Sequence, residues 1–437
     1  MGEQVKQLKL IAAFLFLIFF IYQKNTAQSI DFTQAQKYFD DIKTYLVNNG
    51  NDFWGVSLYG PIMLVDPSTK EIVTNEADPE GVLKQSGNVY YGKLDAKDII
   101  ANTAYNKFGK QWTMIMLPLD EDINARRVLL IHEMFHRIQD DLKLTAEGEI
   151  NNHLDKKEAR ILLRLELEAL NRALQNKKEN FIKDIESALI FRELRRKKFP
   201  EGIKSESALE IHEGIPEYTG VKLGIENENV RNEFVAKIIA MIEKIPSFVR
   251  SFAYFTGPLY GLLLDRSKTE WQKKINSGSD LGSFAAAAFN IKIPGHLENE
   301  YEKRLAEYNG SSIINFENER ESERLRTIAM YKSKFMEGAV FILNFVSMKI
   351  QFDPRNLVSL ENFGTVYPTL KIIDEWGTIE TEKGALIDPN WSKVIVALPF
   401  EEKDGSYSGD GWKLQLNSGW KVIKTPGSEN YFVVKSN

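Results

Sequence analysis

The chain of 437 residues has no cysteine, so no disulfide staples it and no lipid can be attached through a thiol. Its stability has to come from a buried core and from any metal it holds. Histidine is scarce, at 5 residues, which makes a pair at ligand spacing informative. Positive charge is not in excess: a net charge of -5 gives no electrostatic basis for binding nucleic acid, and no nucleic-acid partner is expected. The motifs G-x-S-x-G, G-x-x-x-x-G-K-[ST] and G-x-G-x-x-G are all missing, which removes the usual signatures of a nucleophile elbow, a phosphate-binding loop and a dinucleotide fold.

What is present begins at the N-terminus. Lys6 and Lys9 precede an apolar run at residues 10–22, followed by the polar stretch from Gln23 to Ser29. A basic start, a short apolar segment and a small residue at Ala27 read as a secretory signal covering residues 1–28. The run is shorter than the roughly 20 residues of a comfortable membrane span. Export to a periplasmic or extracellular space is therefore expected, with membrane contact only if the segment stays uncleaved.

Two of the five histidines fall in His132-Glu133-Met134-Phe135-His136. Residues at i and i+4 project from one helical face, so both imidazoles can reach one metal ion. Glu133 between them can act as general base toward a zinc-activated water, which is the chemistry that H-E-x-x-H carries. Val128, Leu129, Leu130 and Ile131 lead in, and Phe135 and Ile138 continue an apolar stripe, so the motif is expected on a buried helix.

Around this motif the chain reads as α+β. Residues 32–47 have helical periodicity, and residues 54–119 read as strands and turns. A strand at residues 111–118 precedes the motif and offers an edge along which an extended peptide could add. Residues 154–196 read as a helical hairpin whose Arg160, Arg164, Glu166 and Glu168 are expected to pair on exposed faces. The basic run from Arg192 to Lys198 reads as the solvated end of its second helix. Further helices are expected to about residue 336, followed by strands that include a long one at residues 341–352. The organisation expected is a catalytic unit of residues 29–120 and 121–336, with the hairpin inserted at about 150–200 and a β-rich subdomain at 337–437.

A catalytic zinc takes three protein ligands. On position alone, Asp155, Glu158, Glu166, Glu168 and Glu213 all compete for the third place. Glu213 lies in His212-Glu213-Gly214-Ile215-Pro216-Glu217-Tyr218, and H-E-x-x-H followed by E-G-x-x-E-Y resembles the gluzincin superfamily of metallopeptidases. The resemblance covers roughly residues 111–265. It implies a zincin-like core with Glu213 as third ligand and Glu217 accepting a hydrogen bond from the second ring nitrogen of His132 or His136. Glycine beside the ligand would let helices approach closely. It also implies an oxyanion donor, for which Tyr254 is the first candidate, ahead of Tyr260 and Tyr218. The other histidines, His153, His212 and His296, read as ordinary polar residues. The implied activity is zinc-dependent hydrolysis of a peptide or protein substrate laid along the strand from Trp112 to Leu117. The alternative is a secreted binding or scaffold protein on the same fold, with an idle metal site.

Overall fold

The computed structural model describes residues 30–436 apart from 96–97, 147–150, 177–179 and 353–356, so the secretory signal expected at residues 1–28 lies outside the described residues. Among the described residues no helix is long and apolar enough to cross a membrane. The protein is mixed α+β, and the chain divides between Ile314 and Asn315 into two compact units.

The first unit opens with helix α1 (Phe32–Asn49), capped by Asp31, whose carboxylate accepts from the backbone N–H groups of Thr33 and Gln34. Six strands follow: β1 (Ile62–Val65), β2 (Glu71–Thr74), β3 (Lys84–Ser86), β4 (Val89–Lys93), β5 (Thr103–Lys107) and β6 (Lys110–Met116). They form one sheet in the order β3-β4-β2-β1-β6-β5, with β1 and β6 parallel and β5 and β6 antiparallel. The strand expected to present an edge is therefore interior. Thr113 and Met114 of β6 pair with β1 on one side and β5 on the other, and Trp112 is fully buried. Sequence pattern sets which face of a strand is buried but not which neighbours flank it, and β5 is the strand that ends the sheet on that side, as β3 does on the other.

Helix α2 (Ile123–Ile138) carries the H-E-x-x-H motif and packs on β5 and β6. Asp122 caps it, accepting from the N–H groups of Asn124 and Ala125. The hairpin expected at 154–196 is present as α3 (Lys157–Gln175) and α4 (Phe181–Lys198). Next comes a continuous helical run, α5 (Ile203–Leu209), a π turn (Glu210–Gly214) and α6 (Ile215–Gly224). Helix α7 (Glu228–Ala240) leads to α8 (Ala253–Leu264).

Glycines set how closely these helices meet. A Cβ on Gly220 of α6 would lie 2.6 Å from the carbonyl oxygen of Val128, one helical turn before His132. A Cβ on Gly257 of α8 would lie 2.2 Å from the carbonyl oxygen of Gly214. Both contacts are to backbone, so neither can be relieved by a side-chain rotation.

The hairpin departs from its sequence reading. Arg160, Arg164 and Glu166 are buried rather than exposed, and so are Arg192 and Arg195 of the basic run. Arg192 and Arg195 lie against Glu166, Glu210 and Glu206 inside the unit. Charge in a sequence suggests solvent, but an arginine fork met by matching carboxylates can be desolvated.

The second unit consists largely of a seven-stranded and a six-stranded sheet sharing one core, in which Phe341, Ile372, Trp376, Trp412 and Leu414 are buried. The long strand expected at 341–352 is two strands, Val340–Asn344 and Lys349–Phe352, one in each sheet. The break is fixed by Asp374, whose carboxylate accepts from the N–H groups of Val346 and Ser347.

Replacing Gly257 by alanine is expected to lower the stability of the first unit by roughly 3 kcal/mol, the upper end of ordinary overpacking costs. Chemical denaturation checks this, and a loss below about 0.5 kcal/mol, the range of a neutral surface change, would contradict the contact.

Candidate metal centre

Three elements converge on one point. Helix α2 supplies His132 and His136, the π turn supplies Glu213, and α8 supplies Tyr254. The Nε2 atoms of His132 and His136 are 3.0 Å apart. Glu213 Oε2 lies 3.7 Å from the first and 3.4 Å from the second. These three residues form a group that could hold a metal ion.

The outer ring nitrogens decide what the inner ones do. His132 Nδ1 lies 2.7 Å from Glu217 Oε2, and a carboxylate there makes Nδ1–H the donor. His136 Nδ1 lies 2.8 Å from Gln139 Oε1. The Gln139 amide nitrogen donates to the carbonyls of Leu144, Ile211 and His212, which leaves its oxygen to accept from His136. With both Nδ1 atoms protonated, two Nε2 lone pairs point at each other across 3.0 Å with a carboxylate oxygen beside them. Such an arrangement is repulsive unless a cation occupies it, either a proton or a metal ion. A tetrahedral zinc about 2.0–2.1 Å from each donor would hold its ligand atoms about 3.3 Å apart, close to the separations found. Glu133 Oε2 and Glu213 Oε1 add a second sign, being buried with no hydrogen-bond partner. The residues present fit a bound cation.

Burial and charge tune each group. Burial opposes the imidazolium of His132, but the Glu213 and Glu217 carboxylates outweigh it and push its pKa up to about 10. Burial would raise Glu213, yet the imidazoles of His136 and His132 hold its carboxyl well below the usual range. Glu133 is raised, with burial as the main cause. Tyr254 is raised well above its ordinary value by burial and by Glu213, so it stays a donor.

The tyrosine hydroxyl donates to Glu213 Oε2 at 2.7 Å, and its ring stacks on His132 at 5.6 Å between centroids. Tyr260 and Tyr218, the other candidates, donate to Glu166 and Asp265 instead. The competing carboxylates are also taken elsewhere. Asp155 accepts from Ser247 and from the Phe248 N–H, Glu158 pairs with Lys198, Glu168 with Arg172, and Glu166 with the buried arginines. Of the remaining histidines, His153 is buried against Glu206, whereas His212 stands at the rim of the site with its ring 5.6 Å from that of His136. Gln139 was not singled out from sequence, although its position three residues after His136 places it one helical turn on.

Comparison of the chain with protein-family models, with curated proteins and with solved structures finds no match.

Without metal, a proton takes the space between the imidazoles, and its effect on stability has a definite sign. His132 has a folded pKa of about 10 above its unfolded value, so its contribution is complete below about pH 6.5 and is lost as pH rises through the folded value. Chelator-treated protein is expected to lose thermal stability between pH 7 and 10, at a limiting slope near 1.4 kcal/mol per pH unit. Metal-loaded protein should change little over that range. Equal pH dependence with and without metal would contradict the assignment.

Proposed function

We propose that this chain is an exported zinc metallopeptidase of gluzincin type, built on a zincin-like core and acting on peptide or protein substrates. The observation that carries the reading is the convergence of His132 Nε2, His136 Nε2 and Glu213 Oε2 beside Glu133, whose buried Oε2 has no hydrogen-bond partner. A structural zinc site closes with four protein ligands, whereas three ligands and an adjacent base suit hydrolysis.

Zinc, when bound, supplies Lewis-acid polarisation of the scissile carbonyl and acidifies water. The chain's own groups do the rest. Glu217 and Gln139 hold both imidazoles with Nδ1 protonated and Nε2 turned inward. Glu133, raised by burial, accepts the proton of the attacking water and delivers it to the leaving amine, a role favoured by a pKa nearer neutrality. Tyr254 keeps its proton and orients Glu213. To stabilise the oxyanion as well, its hydroxyl would have to exchange Glu213 for substrate, so orientation of the carboxylate is the role its present contact supports. Since β6 is interior, an extended peptide is better accommodated along β5, which ends the sheet and packs beside α2.

Replacing Glu133 by glutamine is the direct test, because it removes the base and keeps the shape. Hydrolysis of a mixture of quenched fluorescent peptides is expected to fall at least about 100-fold, with zinc still bound at wild-type stoichiometry. Unchanged turnover would remove Glu133 from the mechanism.

A further inference from the structure

The two carboxylates of the π turn face different partners. Glu213 meets the imidazoles, and Glu210 meets Arg192 in a two-pronged pair, with Nη1 donating to Oε1 at 2.9 Å and Nη2 to Oε2 at 2.6 Å. Residues three apart in an α-helix lie about 60° apart around the axis, so an unbroken helix would turn Glu210 and Glu213 toward the same side. The wider π turn spreads them. One carboxylate can then be anchored in the protein interior while the other reaches the metal centre.

The anchor is itself braced. Arg192 also donates to Glu166 at 3.1 Å and to Asp280 at 2.8 Å. Tyr260 donates to that same Glu166 oxygen at 2.8 Å, and Tyr260 shares α8 with Tyr254, which holds Glu213. Gln139 reaches from the end of α2 to the Ile211 and His212 carbonyls of the π turn. Side chains of Arg192, Glu166 and Glu210 are all fully buried. Burying this much charge is costly and by itself adds little to stability compared with a well-packed apolar core. What it offers instead is a fixed geometry, since a guanidinium fork admits few orientations.

We propose that Arg192 and Glu210 are positioning residues for the metal centre, the pair holding the π turn in the conformation that brings Glu213 to His132 and His136. The inference rests on the metal reading of Glu213 given above.

Zinc affinity of the full chain, measured by competition with a chromophoric chelator, tests it together with the visible absorption of cobalt(II)-loaded protein, which reports ligand geometry. Glu210→Gln keeps the size of the side chain and loses the two-pronged pair. It is expected to weaken zinc binding roughly 10- to 100-fold, the usual consequence of disturbing groups that orient ligands, and to alter the cobalt spectrum. Glu206→Gln serves as the matched control. Glu206 makes an equally buried pair with Arg195 one turn earlier, outside the π turn, so this variant should lose comparable thermal stability yet keep wild-type affinity and spectrum.

Equal weakening in both variants, or Glu210→Gln affinity within about twofold of wild type, would overturn the proposal. Zinc binding by wild type together with either result leaves the metal site standing, whereas a wild type that takes up neither ion removes both. Should Glu210→Gln fail to fold, Arg192→Lys, which keeps the charge and loses the fork, faces the same criteria.

Discussion

Two imidazole lone pairs and a carboxylate oxygen held within 4 Å of one another inside a protein repel unless a positive charge lies among them. That condition governs the first unit. Glu217 and Gln139 accept hydrogen bonds from the outer nitrogens, which keeps those nitrogens protonated and turns the inner lone pairs toward a common point. Tyr254 takes one lone pair of the Glu213 oxygen nearest the imidazoles and leaves the others. The acids and bases around the site are displaced from their ordinary values in directions that suit a cation: Glu213 is kept ionised, and in the absence of metal His132 retains a proton to high pH.

Backbone proximity supplies the geometry. Gly220 lets α6 lie against α2 at Val128, and Gly214 with Gly257 lets α8 lie against the π turn. Any side chain at these positions would separate the three elements that meet at His132, His136, Glu213 and Tyr254. Behind them, the arginines of α4 neutralise carboxylates that would otherwise be buried without partners. The interior charges and the glycine contacts thus act on the two ends of the same short segment, one holding Glu210 and the other fixing the path of the chain at Gly214.

Much of this centre is local and could be read from the chain. The pairing of His132 with His136 follows from helical periodicity alone, and Glu217 follows Glu213 by one turn of the same helical run. Bringing Glu213 to α2 is a long-range matter that only the resemblance of E-G-x-x-E-Y pointed to, and the structure places it there. Three features were misread or missed because they depend on what surrounds a residue in space. Arg192 and Arg195 look like a solvated basic run until Glu166, Glu206 and Glu210 are seen to face them. The strand at 111–118 looks available until β5 is found beside it. Gln139 looks unremarkable until its oxygen is seen to complete His136. In the second unit, strand character was legible, but the switch between sheets at Val346 and Ser347 depends on Asp374, which is distant in sequence.

Metal content is the most direct test of the central claim. Elemental mass spectrometry of the purified protein, supplied with zinc and then dialysed, should find about one ion per chain in the wild type. It should find essentially none in either His136→Ala or Glu213→Ala. Zinc retained in Glu213→Ala but lost in His136→Ala would contradict the three-residue centre, and a wild type without metal would contradict the cation on which the whole account depends.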